Sequence, residues 1–391
     1  AIWFKRWPKM EASNSARAPS PRAGRSRSPP VPPRGAMTAR LQLVIVTDPG
    51  PDPDDVKALI VAALAHRRRE LLLRGVVCNG GQQPRARAKL ARRILDMLGA
   101  TDVPVGIGSD GKPYEAKAHE FELDGYAGVD ERVLLPGSEL LRLCVEQAEA
   151  RSLTVVCISG LRDFADLILE RPELVLEKVR AVAIMGGIEF GPGDEATCTP
   201  DTTANNMWDV EAATEVYRFC FRRGLRMTVT NGAATPDIPM GVAGTFAEGG
   251  DCPLMAYLNR AQYLGLAGLW QRICAQDHEL PPNRTKEWFF ATFCAVDAQR
   301  FEADGLDRLD ASSDIQAYLN GTVKPYDVVA LMTVLPEHEA AFPCTAVHEV
   351  RSVRHLLLMK PEHTIDSKLV VNLLRENFSE AVRIIAAASR D

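Results

Sequence analysis

A short loop near residue 50 carries four aspartates within eight positions. An apolar, β-branched run at residues 43–46 precedes the loop, and a helical pattern of apolar residues resumes at Val56. The prolines and the glycine between them forbid regular structure. The carboxylates therefore lie between the carboxyl end of a strand and the amino end of a helix, where open α/β sheets bind ligands. The four aspartates are Asp48, Asp52, Asp54 and Asp55.

Such a cluster of like charges needs a partner of opposite charge. A helix N-terminus stabilises an anion by only about 0.3–1 kcal/mol, which is too little for four carboxylates. Close carboxylates raise one another's pKa values unless a cation intervenes, and hard divalent ions such as Ca2+ and Mg2+ prefer all-oxygen cages. The loop therefore predicts a metal site. The alternative is a solvated acidic loop in which Asp54 and Asp55 cap the helix.

Segments of strand and helix character alternate from Leu41 onward. This βα rhythm favours a mainly parallel sheet. We predict an α/β fold, a single Rossmann-like domain over residues 41–391, with helices flanking a mainly parallel central sheet and the active site at the strand carboxyl ends. An apparent strand pair lies at residues 346–352 and 355–360. Helices are predicted at residues 54–69, 84–98, 138–149, 162–169, 210–223, 326–334 and 368–388.

The charge of the chain is divided unevenly. The net charge is −5, yet residues 1–40 carry nine Lys or Arg against the single acid Glu11, which leaves 37 basic and 50 acidic residues in the body. Phosphate backbones bind a basic footprint, so we expect no nucleic-acid partner. No window approaches eighteen uninterrupted apolar residues, and we expect no membrane partner. Nine cysteines without a CxxC pair indicate reduced, mostly buried thiols of an intracellular protein.

Residues 1–40 form a basic tail rich in Arg, Pro, Ser and Ala. This composition buries too little apolar surface to offset the entropy of ordering, so the tail is predicted to be disordered. Arg- and Ser-rich, acid-poor N-termini resemble organelle transit peptides. The alternatives are upstream translation or a gene-model artefact, with Met37 as the true start. We expect a cytoplasmic protein, with organelle import if the tail is a transit peptide.

Polar residues also stand at the ends of other predicted strands or at the start of a helix. They are Asn79 after GVVC, Ser159 and Gly160 after LTVVCI, the MGG run after VRAVAI, and Asp327 at the start of a late helix. Together with the DPG loop and the segment TPDTTANNMWDVEAA, this order resembles the inosine-uridine preferring nucleoside hydrolase family over about residues 41–360. The resemblance implies a hydrolase that cleaves the N-glycosidic bond of a ribonucleoside or related riboside to give free base and ribose.

The resemblance also implies roles for single residues. Ca2+ takes about six to eight oxygen ligands, so three carboxylates and a backbone carbonyl leave room for water and sugar hydroxyls. Asp48 is the expected general base, because Ca2+ acidifies water only weakly compared with Zn2+. Asp54 and Asn205 are expected to bind ribose hydroxyls, with Asn79 close by, and Asp52 is the alternative to Asp54. The expected Ca2+ ligands are Asp48, Asp55, Asp327 and the carbonyl of Ser159.

The chain departs from the family pattern at three positions. Val46 stands where most members carry an aspartate, two positions before the first loop aspartate. Thr203 stands where a glutamate usually binds the 5′-hydroxyl end of the sugar, two residues before Asn205. Tyr326 replaces a histidine that helps the leaving base depart in several members. A phenol has an ordinary pKa of about 10 and is a weaker acid than imidazolium, so we expect an altered leaving-group or substrate preference.

Two other functions stay open from the sequence. The first is a catalytically weakened relative that binds metal and ribosides without turnover, which the three departures favour. The second is a metal-dependent phosphohydrolase with Asp52 and Asp54 as a DxD pair. The resemblance further implies a homodimer or homotetramer. Among the other candidates, Trp208 and residues 288–290 are predicted to lie in the core, with Trp288 alternatively lining a base pocket, and His119 at the surface.

Overall fold

A mainly parallel sheet forms the centre of the protein in the computed structural model, which describes residues 40–50, 53–113, 117–191, 198–241, 252–278 and 280–390. Within these residues the sheet has nine strands, which are β1 (Leu41–Thr47), β2 (Leu71–Cys78), β3 (Val105–Ile107), β4 (Leu135–Pro136), β5 (Leu153–Cys157), β6 (Val179–Met185), β9 (Arg226–Thr230), β12 (Val347–Val350) and β13 (Val353–Leu358). Two small ribbons pair β7 (Ile188–Glu189) with β8 (Thr199–Pro200) and β10 (Ile238–Pro239) with β11 (Thr322–Val323).

The strand order is β12-β13-β9-β6-β5-β1-β2-β3-β4. Neighbouring strands are parallel except β12 and β13, which pair antiparallel. The predictions of a mainly parallel sheet and of a late strand pair are therefore confirmed. In β1, Leu43 and Ile45 face one core while Val44 and Val46 face the other. Because helices cover both faces of the sheet, the strand is apolar throughout rather than alternating.

Helices pack on both faces of the sheet, and the predicted ones form with ends that differ from the expected ends by at most three residues. The described helices are α1 (Asp54–Arg67), α2 (Pro84–Met97), α3 (Gly137–Glu146), α4 (Arg162–Glu170), α5 (Pro172–Lys178), α6 (Ala204–Trp208), α7 (Val210–Arg223), α8 (Pro253–Cys274), α9 (Lys286–Phe293), α10 (Ala298–Ala303), α11 (Tyr326–Met332) and α12 (Ser367–Ala388). One face of the sheet carries α1, α2, α11 and α12, and the other face carries α3, α4, α5 and α7.

Helix α1 is buried along most of its length. It packs against α2, α11 and α12, and every residue from Asp54 to Ala65 is buried. A surface helix would expose a polar stripe, whereas α1 is apolar on all sides after its first turn. The two carboxylates of that turn, Asp54 and Asp55, are consequently carried into the interior beside the end of β1.

The order of the strands reverses around β1, which lies between β2 and β5. From β1 the chain winds outward in one direction through β2, β3 and β4 and in the other through β5, β6 and β9. Ligands of open α/β sheets bind outside the strand carboxyl ends at such a reversal. The acidic loop after β1 therefore lies at the position that the topology favours for a site.

Two predicted features lie outside the described residues. One is the basic tail except for Arg40, and the other is Asp52, the alternative sugar ligand. Among the described helices, none combines the length and the apolar character that crossing a bilayer requires.

Candidate active site

A large cavity opens at the carboxyl edge of the sheet. Its volume is about 1440 Å³. Residues from the loop after β1, from α6 and from the start of α11 all line it, although they are far apart in sequence. The predicted site residues that line the cavity are Asp48, Asp54, Asp55, Thr203, Asn205, Tyr326 and Asp327.

Asp48 and Asp55 form a buried pair at the floor of the cavity. Asp55 Oδ1 accepts hydrogen bonds from Thr47 Oγ1 at 2.5 Å and from the backbone N–H of Asp48 at 3.0 Å. These bonds fix the end of β1 to the first turn of α1. Burial raises the pKa of Asp48 well above its ordinary value, and the neighbouring Asp55 carboxylate raises it further. Burial also raises the pKa of Asp55. The pair is therefore poised to attract a cation or to accept a proton.

Arg87 already supplies one positive charge beneath this pair. Its Nη1 donates to Asp48 Oδ2 at 3.0 Å and to the carbonyl oxygen of Asn79 at 2.7 Å. The side chain is 1% exposed, and its charge lowers the pKa values of both Asp48 and Asp55, opposing the effect of burial. Gly80 makes room for it, since a Cβ at this positive-φ residue would lie 2.8 Å from Nη1.

Sequence reasoning missed Arg87. It is one of five Lys or Arg residues within positions 84–93, and such a run ordinarily indicates a solvated helix face. No local signal separates the buried arginine from Arg85, whose side chain is 63% exposed. Only the packing of α2 against the sheet does so.

Arg87→Met is expected to lower the free energy of unfolding by about 3–5 kcal/mol, because it leaves a buried carboxylate without its partner. Chemical denaturation of the two proteins measures the difference. Arg85→Met is the matched control, because it removes the same charge from an exposed position on the same helix. Equal stabilities of the two variants would show that the buried ion pair is not what holds Asp48.

Asp54 and Asp327 join the starts of two helices. The backbone N–H of Asp327 donates to Asp54 Oδ2 at 2.9 Å, across 273 positions of sequence. Burial raises the pKa of Asp54 to about 7, against the opposing effects of Lys57 and of the N–H groups at the start of α11. Lys57 Nζ in turn donates to Gln262 Oε1 at 3.2 Å, which ties α1 to α8. The opening turns of α1 and α11 thus meet in the cavity.

Asn205 also lines the cavity, from α6. Its Nδ2 donates to the carbonyl oxygens of Ile158 at 3.0 Å and Met185 at 3.2 Å. These carbonyls follow β5 and end β6, so the amide nitrogen is used to fix the residue to the sheet. The amide oxygen is the atom that Asn205 can offer to a ligand hydroxyl.

Asn79 and Ser159, also predicted to be site residues, are buried at strand ends and are not among the residues that line the cavity. Asn79 Nδ2 donates to Asp163 Oδ2 at 2.7 Å and to the carbonyl oxygen of Gly160 at 2.9 Å. Asp163 also accepts hydrogen bonds from the backbone N–H and the hydroxyl of Ser109, each at 2.9 Å. The side chain of Asn79 therefore links the ends of β2 and β5, the two strands that flank β1. Ribose binding by Asn79 and metal binding by the Ser159 carbonyl stay predictions.

Aromatic and cationic groups surround Tyr326. Arg284 lies over the ring of Trp288, 4.1 Å from its centroid, and interacts electrostatically with Tyr326. All three line the cavity, which agrees with the alternative placement of Trp288 in a base pocket. Trp208, predicted to lie in the core, also lines the cavity, as does the half-buried His119.

The residues present suit a hard cation in donor chemistry. The predicted ligands offer carboxylate and carbonyl oxygens, and the carboxylates of Asp48, Asp55 and Asp327 are buried in one cavity. Hard cations such as Ca2+ take this donor type. In the part of the chain that the structure describes, no three His, Cys, Asp or Glu side chains form a ready-made metal cage. Ligand hydroxyls and water would therefore have to supply part of a cation's shell.

Comparison with known proteins gives a family match. The family model described as inosine-uridine preferring nucleoside hydrolase matches residues 43–347. The pyrimidine-specific ribonucleoside hydrolase RihA of Shewanella woodyi is 29% identical over 183 residues, which are 44% of this chain and 56% of RihA. The chain therefore matches about half the length of this curated relative.

Solved structures of other proteins resemble the fold, among them the following two. The type III effector protein XopQ, solved in complex with adenosine diphosphate ribose, has a TM-score of 0.66 and 26% identity, covering 90% of this chain and 94% of XopQ. The plant nucleoside hydrolase PpNRh1 has a TM-score of 0.53 and 15% identity, covering 87% of this chain and 99% of the enzyme. The second likeness bears on the fold alone.

Proposed function

Because the chain belongs to the inosine-uridine preferring nucleoside hydrolase family, we propose that it hydrolyses the N-glycosidic bond of a ribonucleoside or related riboside. Members of the family act on N-glycosyl compounds. The observation that carries the proposal is the hydrogen bond from the Asp327 N–H to Asp54 Oδ2, 2.9 Å long. It brings the late aspartate to the acidic loop after β1, so that both helix starts present carboxylates to one cavity.

Asp48 is the proposed general base. A general base works best when its pKa lies near the working pH, and burial together with Asp55 raises the pKa of Asp48. The hydrogen bond from Arg87 Nη1 holds Oδ2, which orients the carboxylate at the cavity floor. Asp48 would remove a proton from the water that attacks the anomeric carbon, while the bond from that carbon to the base nitrogen breaks.

Asp54 and Asn205 are the proposed ribose ligands. Asp54 offers a carboxylate from the start of α1, and Asn205 offers its amide oxygen from α6. N-glycoside cleavage passes through an oxocarbenium-like transition state, and a negative field around the sugar stabilises the positive charge that develops there. The carboxylates at the floor supply that field.

Tyr326 and Arg284 are the proposed leaving-group residues. The Tyr326 hydroxyl would donate a proton to the departing base. The Arg284 cation interacts with Tyr326, and a positive charge beside a phenol makes it a better acid. Trp288, under the guanidinium, offers a face on which a planar base can stack.

The family is generally metal-dependent, and we propose that Ca2+ is the ion, held by Asp48, Asp55, Asp327 and the carbonyl of Ser159. When bound, a divalent ion polarises a water and offsets the repulsion among the carboxylates. The support for this assignment is the oxygen donor set and the burial that raises the pKa values of Asp48 and Asp55.

Release of ribose from a panel of purine, pyrimidine and nicotinamide ribosides tests the proposal. Treatment with EGTA is expected to lower the rate by about 10²-fold or more, since a metal ion supplies several kcal/mol of transition-state stabilisation. Added Ca2+ should restore the rate, whereas added Mg2+ should not. A rate that EGTA leaves unchanged would overturn the calcium assignment, and absence of release from every riboside would overturn the hydrolase.

A catalytically weakened protein that binds ribosides is the second candidate. The contact of Arg87 with Asp48 favours it, because a base held in a buried ion pair is a poorer proton acceptor. Calorimetric binding of ribose together with absent turnover would identify this protein. The phosphohydrolase alternative is less well supported, because Asp52, the first member of its DxD pair, lies outside the described residues.

A further inference from the structure

We propose that the cavity prefers ribosides that carry a phosphate on the 5′ oxygen of the ribose. This inference rests on the proposed function and narrows its substrate class. It is carried by the residues around α6 and by two lysines of the segment after β3. In the reaction, water oxygen bonds to the anomeric carbon, the carbon–nitrogen bond breaks, a proton passes to the base, and ribose 5-phosphate leaves with its phosphate intact.

The sugar's 5′ end meets a neutral residue in this chain. Thr203, the residue before α6, stands two positions before the proposed ribose ligand Asn205 and lines the same cavity. Its Oγ1 is buried and has no hydrogen-bond partner among the described residues. A glutamate at this place would accept a hydrogen bond from a 5′ hydroxyl and would repel a phosphate. A threonine hydroxyl can instead donate to a phosphate oxygen.

Asp201, an acid two positions before Thr203, accepts hydrogen bonds from its own loop and from α6. Asp201 Oδ1 accepts the backbone N–H of Thr203 at 2.9 Å and Asn206 Nδ2 at 3.0 Å. These two donors partly offset its charge. Asp201 therefore shapes the turn before α6, although it also lines the cavity.

Lys112 places a cation at the other end of α6. Its Nζ donates to the carbonyl oxygen of Met207 at 2.6 Å, and Met207 is one helical turn from Thr203, whose carbonyl accepts the Met207 N–H at 3.0 Å. The ammonium has two further protons to offer. Lys112 lines the cavity, and its charge helps to lower the pKa of Asp209, after the hydrogen bonds from Arg162 and Ala212.

Lys117 adds a second cation from the same segment. It lines the cavity, and its Nζ lies against α8 at Gly268, where a Cβ would come within 2.8 Å of it. One turn further along α8, Arg272 also lines the cavity, paired with Asp277. Asp48, Asp54, Asp55 and Asp327 are the buried acids of the cavity, and the two lysines come from a different segment, where we place the phosphate.

The size of the cavity agrees with an extended ligand. Its volume of about 1440 Å³ exceeds the roughly 300–1,000 Å³ of pockets that enclose drug-sized molecules. A nucleoside fills only part of such a space. A phosphorylated riboside extends from the acidic floor toward the lysines.

The test compares purine and pyrimidine nucleosides with their 5′-monophosphates, with release of the free base as the readout for both. The wild-type protein is expected to show a higher kcat/KM for the monophosphates. The double variant Lys112→Ala/Lys117→Ala should lower the ratio of the two kcat/KM values by about tenfold or more, because charge-assisted hydrogen bonds are lost. Lys368→Ala, which removes an exposed lysine at the start of α12, is the matched control and should leave the ratio unchanged.

Measurements of direct binding test the phosphate preference without requiring turnover. In calorimetry, ribose 5-phosphate should bind more tightly than ribose to the wild-type protein, and the double variant should lose this difference. Hydrolysis of nucleosides with a ratio of one or less, or equal binding of the two sugars, would overturn the phosphate preference while the hydrolase stands. Absence of all turnover with tight binding of ribose 5-phosphate would instead overturn the hydrolase and leave the phosphate subsite established.

Discussion

Asp48→Asn is expected to lower kcat/KM for riboside hydrolysis by about 10²–10⁴-fold, the range that a positioned general base contributes. The amide keeps the shape of the side chain and an oxygen that can accept the hydrogen bond from Arg87 Nη1. It loses the negative charge and the ability to accept a proton. At a Ca2+ concentration that saturates the variant, the loss should fall mainly on kcat, because the proposed sugar ligands Asp54 and Asn205 are untouched.

Steady-state release of base, measured on proteins whose folding has been checked by denaturation, gives the comparison. Asp304→Asn is the matched control, since it makes the same change in a half-exposed side chain beyond α10. The control should keep wild-type activity. A loss of less than about fivefold in Asp48→Asn would exclude Asp48 as the base and would move the search to Asp54.

The acidic loop and its flanking elements could be predicted because their signals are local. The apolar run of β1, the prolines and the apolar pattern of α1 lie within 25 consecutive residues, 43–67. Binary pattern and turn chemistry therefore agree over this stretch, which is the condition under which sequence specifies structure well. A mainly parallel sheet followed from the βα rhythm of the chain, whereas the strand order that places β1 between β2 and β5 was not predicted.

Arg87 and the support around Asn79 could not be predicted, because burial of a polar side chain is decided by elements that are distant in sequence. Arg87 is buried only because α2 packs so that this residue, and not Arg85, points under Asp48. Asn79 contacts Asp163, 84 positions later, across the end of β5. Neither contact can be recognised from the spacing of residues in the local sequence.

The family resemblance assigned roles to residues by their position in the sequence. The structure divides these residues into those that line the cavity and those that do not. Asp54, Asp327 and Asn205 come from three distant segments and line one cavity. Asn79 and Ser159 are buried at the neighbouring strand ends and are not among the residues that line the cavity. A motif match fixes which strand end a residue occupies, whereas the direction of its side chain depends on the packing of that chain.

Asp54→Asn is expected to lower kcat/KM by about 10²-fold or more, because hydrogen bonds from sugar hydroxyls to a charged group contribute about 1.5–3 kcal/mol each. The amide oxygen can still accept the N–H of Asp327, so the contact between α1 and α11 should persist. Binding of ribose, measured by calorimetry, should weaken together with kcat/KM. This pattern differs from that of Asp48→Asn, in which binding is kept.

The same substitution is expected to raise stability in the presence of a chelator. Burial raises the pKa of Asp54 from 3.8 to about 7. Between these two pH values the unfolded chain ionises before the folded protein does, so ionisation lowers the free energy of unfolding as the pH rises, and the full loss is present above about pH 7. Asparagine carries no such penalty, and the gain at pH 8 has an upper bound of about 4 kcal/mol.

Denaturation of Asp54→Asn and of wild type at pH 8 and pH 4 separates the two effects. The stability gain should be large at pH 8 and small at pH 4, where Asp54 is mostly protonated in the folded protein, while Asp304→Asn should show no such pH dependence. A variant that loses activity and stability together at pH 8 would mean that the Asp54 carboxylate holds the fold. A variant that gains stability and loses ribose binding would show that this buried charge is retained for the sugar, at the expense of the fold.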